Sequence, residues 1–527
     1  MRFVVLLTVV IAVARAGITD RYHPDEPRGV HSSSSSRASD KERETKHWAD
    51  EAVAGIEERL RRQNNRNVAR NIVMFLGDGM SVPTLAAART LLGQRLGSTG
   101  EEHQLSFEAF PTSGFSKTYC LNAQIADSAC TATAYLCGVK ANRGTIGVNG
   151  HVPRWNCDAS VDTATHVDSI AAWALADGRD AGVVTTTRIT HASPAGTYAH
   201  VANRHWEHDA KVREDNADPQ RCPDVAHQLV NMSPGNQFKV ILGGGRREFL
   251  PVGVLDQEGS PGLRTDNRNL INEWLANKES QGVSHAFVWN REQLMSHASS
   301  PPDYLLGLFE NNHLQYHLEA NKTTEPTLAE LTEIAIKSLK RNEKGFFLFV
   351  ESGRIDHAHH DNYVHLALDE TIQMSEAVRV ATELLSEDDS LIVVTADHAH
   401  VMAFNGYTER GGDILGVSDD LDEDGVPYMT LSYANGPGAR KQVNGVRVNV
   451  TAEPNFEETH GGDDVGVFAR GPHHDMFSGV YEQSQLPHLM AYAGCFGPGK
   501  HACSAGPAIH APILLLVVLT VCQILRL

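Results

Sequence analysis

The chain has 527 residues, with 46 basic against 65 acidic ones and a formal net charge of −19. That acidic balance excludes the basic footprint of a nucleic-acid binder. A hydrophobic share of 41% with 7% aromatics excludes a coreless chain and predicts a soluble globular protein.

Residues 1–16 run from Arg2 through the apolar stretch Phe3–Val13 to Ala14-Arg15-Ala16. This reads as a secretory signal peptide with a small-x-small cleavage site, too short to span a bilayer. An N-terminal membrane anchor is the weaker alternative. Residues 17–44, with the serine run Ser32–Ser36, read as a disordered polar segment. Over 45–63 the helical period sets Trp48, Ala52, Val53, Ile56 and Leu60 on one face, to pack on the surface or on a partner subunit.

From there apolar strands alternate with helices: "NIVMFLGDG", "LAAARTLLGQRL", "SIAAWALADGR", "AGVVTTT", "FKVILGGG", "LAELTEIAIKSL", "GFFLFV", "LALDETIQMSEAVRVATELL" and "SLIVVTAD". Continuous apolar strands interleaved with helices predict an α/β fold, a mostly parallel sheet sandwiched by helices. Sites on such sheets form beyond the carboxyl ends of the strands. Residues 405–456, rich in Gly and Asp, read as a small inserted subdomain.

Three N-x-[ST] triplets, at Asn231, Asn321 and Asn449, fit glycosylation of an exported protein. Of eight cysteines, Cys522 lies in the C-terminal tail. Cys495 and Cys503 are close enough in sequence to pair, Cys157 with Cys222 is a longer-range candidate, and Cys120 and Cys130 can pair around a motif taken up below, leaving Cys137 as a buried thiol. Sequence alone does not fix this connectivity. The chain closes with Ser504-Ala505-Gly506, a short spacer and the apolar run Ile513–Leu525, which together resemble a GPI-attachment signal over 504–527 with Ser504 as attachment site. A transmembrane tail is the weaker alternative, because the run is shorter than the ~20 residues a spanning helix needs.

The 27 histidines matter at the strand ends. The first strand runs into Asp78. Another reaches His191 and Ser193. "GFFLFV" ends at Glu351 with Asp356 and His360 following, "SLIVVTAD" ends at Asp397 and His398, and "EETHGGDD" adds His460. A single Asp after a strand is an ordinary helix cap and a single His an ordinary surface residue. Several on one sheet edge point to metal. Carboxylate plus imidazole suits an open zinc site, and an oxygen-rich position beside it suits magnesium. Asp356 and His360 share a helical face, and the ligand count exceeds one ion's need, as in two-metal displacement chemistry. In "IADSACTATAYLCG", Ser128 at a helix start sits where backbone N–H groups favour an anion, a position for a metal-activated nucleophile. An ordinary Asp/Ser cap is the competing reading of that stretch.

The segments "DSACTATAYLCGVK", "VVTTTRITHASPAGTYAHVANR", "GFFLFVESGRIDHAHH", "TADHAH" and "EETHGGDDVGVFARGP" resemble, in order, those of the metazoan GPI-anchored alkaline phosphatases. The resemblance spans about residues 45–503 and implies one catalytic domain that hydrolyses phosphate monoesters at alkaline pH through a phosphoserine intermediate on Ser128. It implies Asp356, His360 and His460 on one zinc; Asp78, Ser128, Asp397 and His398 on a second; and Asp78, His191, Ser193 and Glu351 on magnesium. Arg204 would grip the phosphate, a task suited to a guanidinium fork. His357 and His359 are left behind the ligands or facing solvent. A calcium ion would take Glu258, the carbonyl of Phe309, Glu310 and Glu325, where Glu325 stands in place of the family's usual Asp. The insertion matches the family's crown and the 45–63 helix its N-terminal arm, which imply a homodimer. With both processing signals, the resemblance implies a cell-surface, GPI-anchored protein acting on phosphomonoesters and releasing inorganic phosphate, without nucleic-acid binding. A sulfatase of the same fold would need Cys- or Ser-x-Pro-x-Arg at the nucleophile, whereas Ser128 is followed by Ala129, Cys130 and Thr131.

Overall fold

The computed structural model describes residues 40–421, 425–437, 441–443, 446–448, 451–454 and 456–500. The signal peptide, most of the polar segment, Asn449, Cys503 and the attachment signal lie outside these residues.

Ten strands form one sheet: β1 (Asn71–Gly77), β2 (Thr112–Lys117), β3 (Asp180–Arg188), β4 (Val240–Gly244), β5 (His285–Val288), β6 (Tyr304–Leu308), β7 (Phe346–Ser352), β8 (Ser390–Ala396), β9 (Val465–Arg470) and β10 (Gly479–Glu482). Their spatial order is β10-β2-β9-β8-β1-β7-β3-β4-β6-β5. Only β9 runs antiparallel to its neighbours, against β2 and β8.

Both faces of the sheet are covered, which is why its central strands read as unbroken apolar runs. In β1 every residue is buried, and successive side chains alternate between two cores. Ile72, Met74 and Leu76 join one, Val73 and Phe75 the other. Each such side chain adds about 1.5–3 kcal/mol of burial.

Helix α1 (Thr45–Arg61) buries no residue, and its apolar face, Trp48 and Ile56 included, is exposed. Helices α2 (Val82–Arg95), α4 (Leu328–Leu339) and α6 (Val364–Leu384) supply the core that holds Val73 and Phe75; α3 (Ser128–Cys137) supplies the other. Helix α4 starts at a Thr327/Glu330 capping box and buries Leu328, Leu331, Ile334, Ala335 and Leu339 along one stripe. Helix α5 (Arg354–His360) follows β7 after Gly353.

The predicted insertion is a region of short strands. Met402–Phe404, Leu431–Gly436 and Thr451–Pro454 make one small sheet, and four further strands make another. Its two ends are joined by a clasp in which Ala399–His400 pairs antiparallel with His460–Gly461 and His400 stands opposite His460.

Register sets the site. Gly77 lies level with Ser352 of β7 and Ala396 of β8, and Thr185 of β3 with Glu351. Asp78, Glu351 and Asp397 therefore leave the sheet together at its carboxyl edge.

Candidate metal centre

At that edge three groups of ligand-type side chains converge. Asp356 and His360 project from one turn of α5, and the clasp brings in His460. His360 Nε2 lies 3.3 Å from Asp356 Oδ1, His460 Nε2 lies 3.3 Å from the same oxygen, and the two Nε2 atoms are 3.0 Å apart. Their other ring nitrogens meet backbone carbonyls: His360 Nδ1 that of Glu458 at 2.5 Å and His460 Nδ1 that of Ala126 at 2.7 Å. A carbonyl requires Nδ1–H, so both Nε2 lone pairs face the cluster, the tautomer a metal ligand needs.

His398 repeats the arrangement, with Nδ1 3.3 Å from the Ala399 carbonyl. Its Nε2 lies 3.1 Å from Asp397 Oδ2, 3.5 Å from Asp78 Oδ1 and 3.2 Å from Ser128 Oγ. Asp397 Oδ1 accepts from the N–H groups of Gly79 and His398, both at 2.9 Å, while its Oδ2 has no hydrogen bond. Glu351 is divided in the same way: Thr185 and Thr187 donate to Oε2, and Oε1 is bare. Asp78, His191 and Glu351 have ligand atoms within 4.8 Å of one another. Both carboxylate oxygens of Asp78, Nδ1 of His191 and Oγ of Ser193 are buried without a hydrogen-bond partner.

A buried polar atom left bare is costly. Here the bare atoms are hard oxygens and imidazole nitrogens aimed at one space, and the donor set fits divalent cations. The electrostatics agree. Burial, then Asp397, Asp356 and Glu351, push the Asp78 carboxyl well above the usual range. Burial pushes Glu351 up to about 7. Carboxylates gathered without their own positive charge call for an ion that supplies it.

Ser128 is the first residue of α3. Asp127 caps that helix, accepting from the Cys130 N–H at 3.3 Å and the Gly144 N–H at 3.0 Å. The Arg204 guanidinium bonds Asp127 Oδ2 at 3.1 Å and reaches His191 Nε2 at 3.2 Å. Burial raises the Asp127 pKa, but Arg204 and the two amides outweigh it and hold the carboxyl below its usual range. Arg204 and part of the ligand set, His191, Asp356, His360 and His460, thus line one cleft of about 560 Å3 together with Asp127, and Ser128 is buried next to Asp127 in the chain. A larger hollow of about 900 Å3 between Ser284 and Arg341 holds no ligand cluster among the described residues.

The structure brings together all ten predicted zinc and magnesium residues. The predicted calcium set assembles only in part. Gln315 ties Glu310 and Glu325 together, donating to Glu325 from its backbone at 2.6 Å and to Glu310 from its side chain at 3.0 Å. Burial and then Glu310 push Glu325 up to about 8. Glu258 instead pairs with the buried Arg246, whose guanidinium already neutralises it. His359 does not face solvent: it is buried between Thr84 Oγ1 at 3.0 Å and Tyr433 Oη at 2.8 Å. His357 lies 2.9 Å from Arg354.

Disulfides join Cys120 to Cys130 and Cys157 to Cys222, and Cys137 is a buried thiol. Asn231 and Asn321 are exposed.

Sequence reasoning missed His400 and Glu458. His400 Nε2 meets Asp356 Oδ1 at 2.7 Å and its Nδ1 meets Glu458, a carboxylate–imidazole pair that orients a ligand from behind. The last residue of "TADHAH" and the second Glu of "EETH" were the available signals.

A family model described as alkaline phosphatase matches residues 69–496. Among curated relatives, a membrane-bound alkaline phosphatase of Bombyx mori is 61% identical over 96% of this chain and 95% of its own length. The tissue-nonspecific isozyme of alkaline phosphatase from Felis catus is 44% identical over 91% of this chain and 95% of its own. A Thermus thermophilus alkaline phosphatase structure, 22% identical, covers 81% of this chain and 92% of its own with a TM-score of 0.59, a likeness of fold.

Proposed function

The chain belongs to the alkaline phosphatase family and hydrolyses phosphate monoesters, and on that premise we propose that Ser128 is the nucleophile. The observation that carries this is its Oγ, at the first residue of α3 and 3.2 Å from His398 Nε2, next in the chain to Asp127, which bonds Arg204 on the wall of the cleft. Arg204 grips two non-bridging phosphate oxygens with its fork while Asp127 holds the guanidinium. Ser128 Oγ bonds to phosphorus as the bond from phosphorus to the ester oxygen breaks, and the alcohol leaves with a proton. Water then attacks phosphorus, the bond to Oγ breaks, and inorganic phosphate departs. The helix N-terminus adds fixed positive potential at the reacting group.

Asp356, His360 and His460 would hold one zinc, Asp78, Asp397 and His398 with Ser128 a second, and Asp78, His191, Ser193 and Glu351 magnesium. When bound, these cations lower the pKa of hydroxyl and water and offset charge on the attacking and leaving oxygens, which so slow an uncatalysed reaction requires. Calcium would take Glu310, Glu325 and the Phe309 carbonyl, with Glu258 joining on release from Arg246.

The exposed face of α1 supports a homodimer in which each arm lies on the other subunit. No described helix is long and apolar enough to cross a membrane. The signal-like start, the attachment-like end at Ser504 and the membrane-bound name of the Bombyx mori relative support a GPI-anchored, extracellular protein carrying glycans on Asn231, Asn321 and Asn449.

Ser128→Ala is expected to keep its cations, read by metal analysis, and to lose turnover of an aryl phosphate. Undiminished turnover would overturn the assignment.

A further inference from the structure

A second cavity of about 390 Å3 adjoins the catalytic cleft, and Arg154 and His205 line both. Trp155 stands on its wall with 57% of its surface exposed. The backbone there is unusual. The Asn156 N–H closes a four-residue turn on the Pro153 carbonyl at 3.1 Å, and Trp155 takes the third position with φ 68°, a corner that favours glycine or asparagine. An indole at such a corner is opposed by its own backbone, and with most of its surface exposed it gains little burial in return. Strain of this kind gathers at functional sites.

The turn is held firmly. The Trp155 N–H donates to the Ala202 carbonyl at 3.0 Å and the Cys157 N–H to the Trp155 carbonyl at 3.1 Å, and Cys157 is bonded to Cys222. Arg154 lies over the indole at 4.7 Å, with its guanidinium fixed on Asn203 Oδ1 at 3.1 and 3.3 Å. Gly144 abuts Arg154. Its N–H bonds Asp127 and its carbonyl accepts from the Arg204 N–H, so the turn is tied to the nucleophile's own segment.

We propose that this cavity receives the alcohol half of the ester, and that Trp155 makes it a subsite for planar aromatic leaving groups, nucleosides foremost. The base would stack on the exposed indole, as bases do on aromatic platforms, while Arg154 faces the polar link between base and phosphate. This rests on the reading of the Ser128–Arg204 cleft as the catalytic one.

Steady-state kinetics on the full-length enzyme, with adenosine monophosphate against glycerol phosphate, test it. Trp155→Gly removes the indole at a φ that glycine prefers, so the fold is not put at risk. It is expected to lose about tenfold in kcat/KM on adenosine monophosphate while glycerol phosphate stays within about twofold, the equivalent of one stacking contact. Trp155→Phe should keep most of the preference. Equal loss on both substrates, or no loss on the nucleotide, would overturn the proposal. Failure of the catalytic reading would appear elsewhere, as turnover surviving in Ser128→Ala.

Discussion

Two buried regions of this molecule handle charge in opposite ways. In one, guanidinium and carboxylate satisfy each other. Arg264 meets Asp224 at 3.0 and 2.9 Å and also bonds Asp266; Arg246 meets Asp256 at 3.0 Å; Arg188 grips Glu207 at 2.7 and 2.6 Å. In the other, around Ser128, three carboxylates have acceptor capacity to spare. Asp397 and Glu351 have one oxygen fixed by protein donors and one bare, and both oxygens of Asp78 are bare. The difference teaches how to tell scaffold from site. A paired network is complete and holds the chain, whereas an unfinished one waits for cations.

If that is right, stripping cations should have the largest effect. A chelator is expected to abolish turnover and lower the unfolding temperature, with both restored by added zinc and magnesium; turnover that survives full metal removal breaks the comparison. Next, Arg264→Ala leaves buried carboxylates uncompensated. Denaturant unfolding should show a loss of about 3–5 kcal/mol, with kcat/KM of the folded fraction unmoved. His400→Ala should do the reverse. It removes the support behind Asp356 and should cost about 10–100-fold in zinc affinity or activity, read by metal content after dialysis and recovered by excess zinc, while stability of the metal-loaded form holds.

The smallest effect comes from a buried cation of a third kind. Lys278 donates to the Asn236 carbonyl at 2.6 Å and has no carboxylate partner among the described residues. Burial, then Lys239, lower its pKa from 10.5 to about 8. Between those values the unfolded chain binds more protons than the folded one, so stability from this residue rises with pH across that window and falls as pH drops through it. Against Lys278→Met, the wild type should recover up to about 3 kcal/mol over that window by thermal or urea unfolding. A flat difference would place Lys278 with the paired network.

The sheet and most ligands were legible in the sequence because a buried parallel strand leaves a continuous apolar run, and the first polar residues after it, Asp78, Glu351 and Asp397, must emerge at its carboxyl edge. Asp356 and His360 were legible from helical spacing. His400 was hidden between ligands because its role depends on Glu458, which arrives only after the insertion returns. Asp127 read as a plain cap, which it is; its hold on Arg204 is a tertiary fact. For Glu258 nothing in the sequence marks Arg246, 12 residues earlier, as the cation that claims it.

The clasp between Ala399–His400 and His460–Gly461 also bears on how such a molecule can change. It fixes both ends of the insertion at the ligands themselves, so the chain between can grow or shrink without moving His460, and doubling a flexible loop costs only about 0.6 kcal/mol. Parts of the insertion outside Leu431–Gly436, whose Tyr433 holds His359, are therefore the natural graft points. A foreign domain could be spliced there and carried next to the chemistry, and lineages could remodel what this surface meets while the strand ends beneath it stay as they are.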